Sequence, residues 1–450
     1  MSKKILVIGL LVALLGACAE SQRPVATGKG GIHAINAAVG APAVGFLLEE
    51  RALGLPRFKN ATPIELFDDL SYIANFDYLF LGELQTTRLA SVPFDVDVGQ
   101  DYLFVFTGSL AEPEVLLWER TIRIWDEGAT LMQVTLAHLS PQLEEVDIYF
   151  APPDVAPVLG EATATLTNGN FAAPIEVESG EFKLTVTAVG DPSDVLFESE
   201  GFTFVGSSSF LISLFDVDPS ITAPISARII GETNGISLEW GEVNSPPTSR
   251  LYHTANGVVP VDLYLDGDFS EPLIGNTAYA ELSAETPSVS GTFTNTVTEA
   301  DNVGNILLEE EQLTPAGSRS TRFLVGNDVE LLTLLVVDNL RPRDDGARFR
   351  LVQTSLNVPN QDIYILDTGE PLEEATPRFS GAFTPVNTDY ISLLPGTYDI
   401  YITAAASETV AAGPVTFTVD DGDVVHYVVI DTDDPTVVDV IEYERAGSMP

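Results

Sequence analysis

An internal repeat governs what this chain can fold into. Inside short apolar runs, a polar side chain is followed nine positions later by an acid: His138 and Asp147, His253 and Asp262, Gln353 and Asp362. The acids stand in near-identical settings, Val146-Asp147-Ile148-Tyr149, Val261-Asp262-Leu263-Tyr264 and Gln361-Asp362-Ile363-Tyr364. A degenerate first copy keeps the spacing with Asn36 and Gly45 and has lost both the His and the Asp. Downstream, residues 180–188 and 396–404 share a second pattern, Gly-x-aromatic followed by alternating apolar and polar positions. The starts of the copies lie 102, 115 and 100 residues apart, close to the roughly 100 residues of an immunoglobulin-type sandwich.

Between the repeat columns, apolar runs are short, rich in Val, Ile, Phe, Tyr and Thr, and bounded by Gly, Pro, Asp or Asn, as in residues 102–107, 182–187 and 416–419. That is the composition of strands between turns. The class expected is all-β: four tandem immunoglobulin-like antiparallel β-sandwich domains. We place them at residues 31–129, 130–217, 250–339 and 347–432, with a linker carrying an added hairpin at 218–249, a linker at 340–346 and a tail at 433–450. Turns at 126–128, 206–208, 326–328 and 421–423 are expected to close a hairpin in each copy. One short helix is expected around residues 62–70, with Thr62 as cap and Pro63 in the first turn. Residues 130–138 leave no room for a loop between copies one and two, which predicts an end-to-end joint. Arg341 to Gly346 is turn-rich and predicts a swinging fourth copy, so the expected shape is a bent rod. In the fourth copy Ile363 and Ile365 should face the core and Asp362 the opposite side.

The first residues follow a different logic. Lys3 and Lys4 precede an apolar run from Ile5 to Ala17, and then comes Cys18, the single cysteine. Thirteen apolar residues are too few for a spanning helix, which needs about 20, and the order is that of a signal peptide. Leu15, Gly16, Ala17 and Cys18 resemble the lipobox of bacterial lipoproteins. The resemblance implies removal of residues 1–17, a diacylglyceryl and palmitate-type anchor on Cys18 and a lipidated tether at 18–30. The expected address is the cell envelope, with the outer membrane favoured over the inner because Ala19 and Glu20 lack an early Asp. The lone cysteine leaves no disulfide, so the folded part relies on burial alone.

The processed chain would carry 19 basic against 66 acidic side chains, a net −47. Nucleic acid is thereby excluded as a partner, since phosphate binding needs a concentrated positive face. With 45% hydrophobic residues, the chain is folded rather than a disordered acidic tail.

The repeat columns resemble a bacterial extracytoplasmic family known as domain of unknown function 4397. Its members commonly begin with an apolar strand carrying Arg and His, then a turn, then Val-Asp-Val-Tyr, and later Pro-Ala-Gly-Thr-Tyr. Arg250 and His253 with Asp262 and Tyr264 match best. The fourth copy keeps Arg350, Asp362 and Tyr364 with Gln353 in the His position, and the second keeps His138 and Asp147 with Thr135 in the Arg position. The resemblance covers most of residues 31–432 and implies a sandwich, export and surface tethering, with no activity attached.

Read as chemistry, the His and Asp columns suggest a metal or an acid–base pair. Each copy has at most one such His, however, and zinc takes three or four ligands. A cross-strand Arg–Asp pair, or a buried His bonded to turn backbone, accounts for them structurally. Acidic clusters at Asp95 and Asp97, Asp266 and Asp268, 420–423 and 431–434 have oxygen ligands for calcium but not the spaced loop that makes its binding predictable. Divalent cations are thus compatible but not expected, and no cofactor or catalytic residue is assigned. Trp118, Trp125 and Trp240 are read as core or edge aromatics in preference to sugar platforms. The expected function is a non-enzymatic, lipid-anchored display, spacer or adhesion-type protein with an unknown protein or polysaccharide partner. The alternative is a binding module for an extracellular glycan or small solute at an inter-domain junction.

Overall fold

The short apolar runs all become strands, as their β-branched and aromatic content favours. The computed structural model describes residues 26–447 except 219 and 233–236, so Cys18 and the leader lie outside the described residues. Eight sheets pair into four sandwiches. In the first, the strands are Lys29–Asn36, Gly45–Leu48, Arg51–Gly54, Glu65–Asp68, Ser71–Tyr78, Thr87–Asp95, Gln100–Gly108 and Pro113–Thr121. The first strand lies between the fourth and the seventh, with the eighth outside, while the second lies between the third and fifth, with the sixth outside. The other three sandwiches repeat this order, with the fourth strand split in the second and fourth sandwiches of the chain. Named pairings are antiparallel except that of first with seventh strand, which is parallel in every copy. This order differs in detail from the seven-strand immunoglobulin arrangement, in which strands A, B, E and D share a sheet.

Alternation fills each sandwich from both inner faces. Ile32, Phe46, Phe76 and Phe104 form the first core, and Phe349, Ile363, Ile365 and Ile400 belong to the fourth. The sheets holding the first and seventh strands are buried on their outer faces too. Ile35, Leu103 and Val105 of the first sandwich pack on Leu139, Leu211 and Phe215 of the second. Tyr252, Phe323 and Val325 of the third pack on Val352, Val428 and Ile430 of the fourth. The four sandwiches therefore form two face-to-face pairs. Each fully buried side chain of this kind contributes about 1.5–3 kcal/mol, far more than a linker could impose.

That pairing overturns the end-to-end joint and the swinging fourth copy. Strand Pro113–Thr121 ends before strand Leu131–Leu139 begins, and the intervening residues carry the chain from one sheet to the facing one. The 340–346 segment is pinned. Arg341 donates to the carbonyls of Val39 and Ala41 at 2.9 and 3.3 Å, Asp344 accepts from the Leu110 amide, and Asp345 accepts from Tyr78 Oη and the Leu81 amide.

Other local expectations change as well. Residues 65–68 form a strand in place of a helix, because Leu66 and Phe67 register against the first strand and Thr62 Oγ1 accepts the Ala34 amide. The 421–423 turn is not a hairpin: strand Val410–Val419 pairs in one sheet and strand Val424–Asp431 in the other. The same holds around 206–208, while the 126–128 turn lies between sandwiches, so only 326–328 sits within a strand pair. The hairpin of strands Ser226–Gly231 and Ser237–Trp240 belongs to the second sandwich, paired along strand Ser209–Phe215. The tail contains strand Val438–Ala446, the eighth strand of the fourth sandwich.

Candidate functional site: buried polar clusters at loops and sandwich faces

The polar column at the end of each first strand makes one kind of contact four times. Asn36, His138, His253 and Gln353 are all fully buried. Each accepts the amide two residues on, from Ala38, Ser140, Ala255 or Ser355. Each also donates to a carbonyl five or six residues on: Pro42 at 2.8 Å, Leu143 at 3.0 Å, Val259 at 3.1 Å or Val358 at 3.0 Å. Asn, His and Gln all offer one acceptor and one donor in this span, which explains why they interchange. The network places the proton of His138 and His253 on Nε2, and burial lowers both pKa values, keeping the rings neutral.

The acids nine positions on are clamps between strands. Asp147 accepts from Thr165 Oγ1 and the Gly190 amide, Asp262 from the Asn276 and Asp301 amides, and Asp362 from Ser380 Oγ and the Gly381 and Ala406 amides. In each case one partner is a turn residue in the left-handed region: Gly190, Asp301 and Ala406 have φ of 74°, 59° and 57°. A charge-assisted bond to that amide holds a conformation that costs a side chain free energy. Tyr264 Oη lies 3.4 Å from Asp262, and Tyr149 Oη donates to the Val158 carbonyl, whereas Tyr364 makes no comparable bond among the described residues. The expected Arg–Asp pair does not form. Arg250 and Asp262 lie in different sheets, because the intervening loop crosses the sandwich.

Arg250 and Arg350 face the seam between the third and fourth sandwiches. Asp338, with its side chain fully buried, receives Arg250 at 3.0 Å and Arg350 at 3.1 Å, and Arg319 lies 3.9 Å away. Glu444 from the fourth sandwich receives Arg250 and Arg319 of the third. Arg350 also reaches His426 Nδ1 at 3.3 Å, and Tyr390 Oη stands 2.9 Å from His426 Nε2. Burial, then Arg350 and Arg250, push the His426 pKa down to about 2, so this ring is neutral at any physiological pH. Sequence reasoning found the two arginines but missed Asp338, His426 and Glu444, which are separated from them by up to 194 residues.

The corresponding seam between the first two sandwiches carries a smaller cluster. His33 occupies the Arg position of the first copy. Its Nε2 lies 3.4 Å from Asp101, which also takes Arg120 Nε and Nη2 at 3.1 and 2.9 Å. Arg120 reaches across to Glu232 of the second sandwich as an ion pair. Burial works to raise the Asp101 carboxyl, but His33 and Arg120 outweigh it and hold the pKa at about 2. Among the described residues, His33, Asp101 and Glu232 are the group whose geometry suits a metal ion.

A cavity of about 290 Å³ lies between the second and third sandwiches, lined in part by Trp240, Glu239, Glu242, Ser318 and Arg319. Trp240 is buried and donates to the Glu200 carbonyl, Trp118 stacks on Phe171 at 4.8 Å across the first seam, and the Arg123 guanidinium sits over Trp125. Several of the acidic clusters hold backbone: Asp266 takes the Thr294 amide, and Asp431 takes the Leu356 and Asn357 amides. Asp216 makes the equivalent bond to the Gln142 amide in the second copy. No helix among the described residues is long and apolar enough to cross a membrane.

The fold and these clusters define a tandem array of β-sandwiches. Residues 248–364, which span the third sandwich and the first strands of the fourth, match the family described as Domain of unknown function (DUF4397). No curated protein matches the chain. Solved structures similar to it at a low level include these two. The Bacillus anthracis TIE protein is 10% identical, covering 90% of this chain and 69% of that one, with a TM-score of 0.15. A product complex of SpuA, a multi-modular glycogen-degrading pneumococcal virulence factor, is 9% identical, covering 62% of this chain and 37% of that one, also with a TM-score of 0.15.

Proposed function

We propose that the chain is a lipid-anchored, non-catalytic envelope protein that displays a rigid block of sandwiches for adhesion-type contacts with a protein or polysaccharide. The observation that supports this best is how the repeat's conspicuous polar residues are used. Asn36, His138, His253, Gln353, Asp147, Asp262 and Asp362 are bonded to loops and turns of their own sandwich, while Arg250 reaches Glu444 and Arg350 reaches Asp338 of the facing one. Side chains so engaged serve shape. Face-to-face pairing favours a thick display block over a long spacer, and the acidic surface keeps such a block soluble and off anionic head groups. The anchor on Cys18, export and the outer membrane belong to the same proposal, resting on the sequence of residues 1–20.

The test is fractionation of cells expressing the wild type and Cys18→Ser. Wild type should partition with detergent, be accessible to added protease on intact cells and carry a diacylglyceryl mass; Cys18→Ser should lose the lipid and the membrane fraction. Equal membrane retention and mass in both would refute the anchor. A second reading, a binder of a glycan or small solute, is favoured by the cavity beside Trp240 at an inter-sandwich junction. A glycan array with the processed chain separates the two, since hits abolished by Trp240→Ala would support the binder.

A further inference from the structure

Five atoms at the seam between the first two sandwiches are buried and lack a hydrogen-bond partner: His33 Nε2, Asp101 Oδ1, both carboxylate oxygens of Glu232 and Arg120 Nη1. His33 and Asp101 are each 1% exposed, and the Glu232 side chain is fully buried. Such groups are rare in folded proteins, because an unpaired buried polar atom forfeits its hydration. Here the three ligand residues His33, Asp101 and Glu232 converge: one ligand atom from each lies within 4.8 Å of the others, and His33 Nε2 stands 3.4 Å from Asp101 Oδ2. Arg120 pairs with Asp101 Oδ2 and Glu232 Oε2, which leaves the remaining oxygens of both carboxylates facing the seam without a hydrogen bond.

We infer that His33, Asp101 and Glu232 form a binding site for a divalent cation of the zinc class, which staples the first sandwich to the second. The donor set of one imidazole nitrogen and two carboxylate oxygens suits that ion. Ligands of a tetrahedral ion with bonds of ~2.1 Å stand roughly 3.4 Å apart, so displacements on the order of 1 Å gather these three. Arg120 donates to Asp101 Oδ2 and forms an ion pair with Glu232, which orients both carboxylates as outer partners of metal ligands do. A cavity of about 320 Å³ touches both His33 and Glu232 and supplies room for a water as fourth ligand. Two ligands come from one sandwich and one from the other, so the ion would hold the seam closed.

The probe is Co²⁺, added to the processed full chain after dialysis against a chelator. One ion per chain should bind, with visible d–d bands of four- or five-coordinate intensity and an exchangeable imidazole NH signal shifted by the paramagnet. Thermal unfolding should move upward with Co²⁺ or Zn²⁺. His33→Gln and Glu232→Gln should each weaken binding at least about tenfold and abolish the shift, while Asp268→Asn, on an exposed turn, should change neither. The imidazole signal is read on the wild type, so the test survives a variant that fails to fold. Six-coordinate spectra of a surface ion, binding that persists in both variants, or no uptake with His33 found protonated by NMR would each overturn the inference.

Discussion

At the residue scale, the position that closes each first strand can be Asn, His or Gln because the site asks for an acceptor toward the second following amide and a donor toward a later carbonyl. His253→Gln should therefore change stability by less than about 1 kcal/mol. His253→Leu leaves the Ala255 amide and the Val259 carbonyl unpaired and should cost roughly 2–6 kcal/mol, at about 1–3 kcal/mol for each orphaned group. Hydrogen exchange at Ala255 in the intact chain checks this, and equal effects of the two substitutions would contradict it. The buried histidines also set a pH dependence. His138, His253 and His426 have pKa values lowered from 6.5, chiefly by burial. A lowered histidine contributes stability that is present above its unfolded pKa and lost as pH falls below it. Stability should thus begin to decline near pH 6.5, by up to about 1.4 kcal/mol per pH unit for each such ring. His426→Gln should reduce the slope in denaturant titrations between pH 6.5 and 5; a flat profile there would show that these rings titrate normally. The column was legible from spacing, but its partners were not, since hydrogen bonds to backbone carry no sequence signal.

Elements were easier to recognise than their pairing. Strand identity followed from short β-branched runs, whereas residues 62–70 misled because Thr62 and Pro63 match a helix start although Thr62 caps the neighbouring strand. The Asp-Gly turn at 421–423 misled because the same turn chemistry serves a crossing between sheets. The face-to-face seams left a trace in the sequence: strands Gln100–Gly108, Ser209–Phe215 and Val424–Asp431 are apolar almost without alternation, the mark of a strand covered on both faces. Arg250 and Arg350 interrupt such faces only because Asp338 meets them. Leu211→Asp, in the first seam, should destabilise the pair by more than about 3 kcal/mol and speed amide exchange in strands Leu131–Leu139 and Gln100–Gly108 together. Val195→Asp, on an outer sheet, should stay within about 0.5 kcal/mol. Confinement of the Leu211→Asp effect to the second sandwich would mean that the seam is not an energetic contact.

For the whole molecule, the chain's repeat count and class were open to sequence reasoning, and its shape was not. Linker length says where sandwiches join, but the apolar outer faces decide how they pack. Small-angle scattering on the processed Cys18→Ser chain measures that most directly. With stacked sheets about 10 Å apart, face-to-face pairs place the outermost sheets of a pair roughly 30 Å apart, against about 10 Å in a single sandwich. We predict a cross-section of the paired kind and a largest dimension well short of the roughly 120 Å that four nine-residue strands in line at ~3.3 Å per residue would span, both unchanged between low and high salt. A thin rod with the cross-section of one sandwich, longer than that limit and shortening as salt is added, would contradict the account.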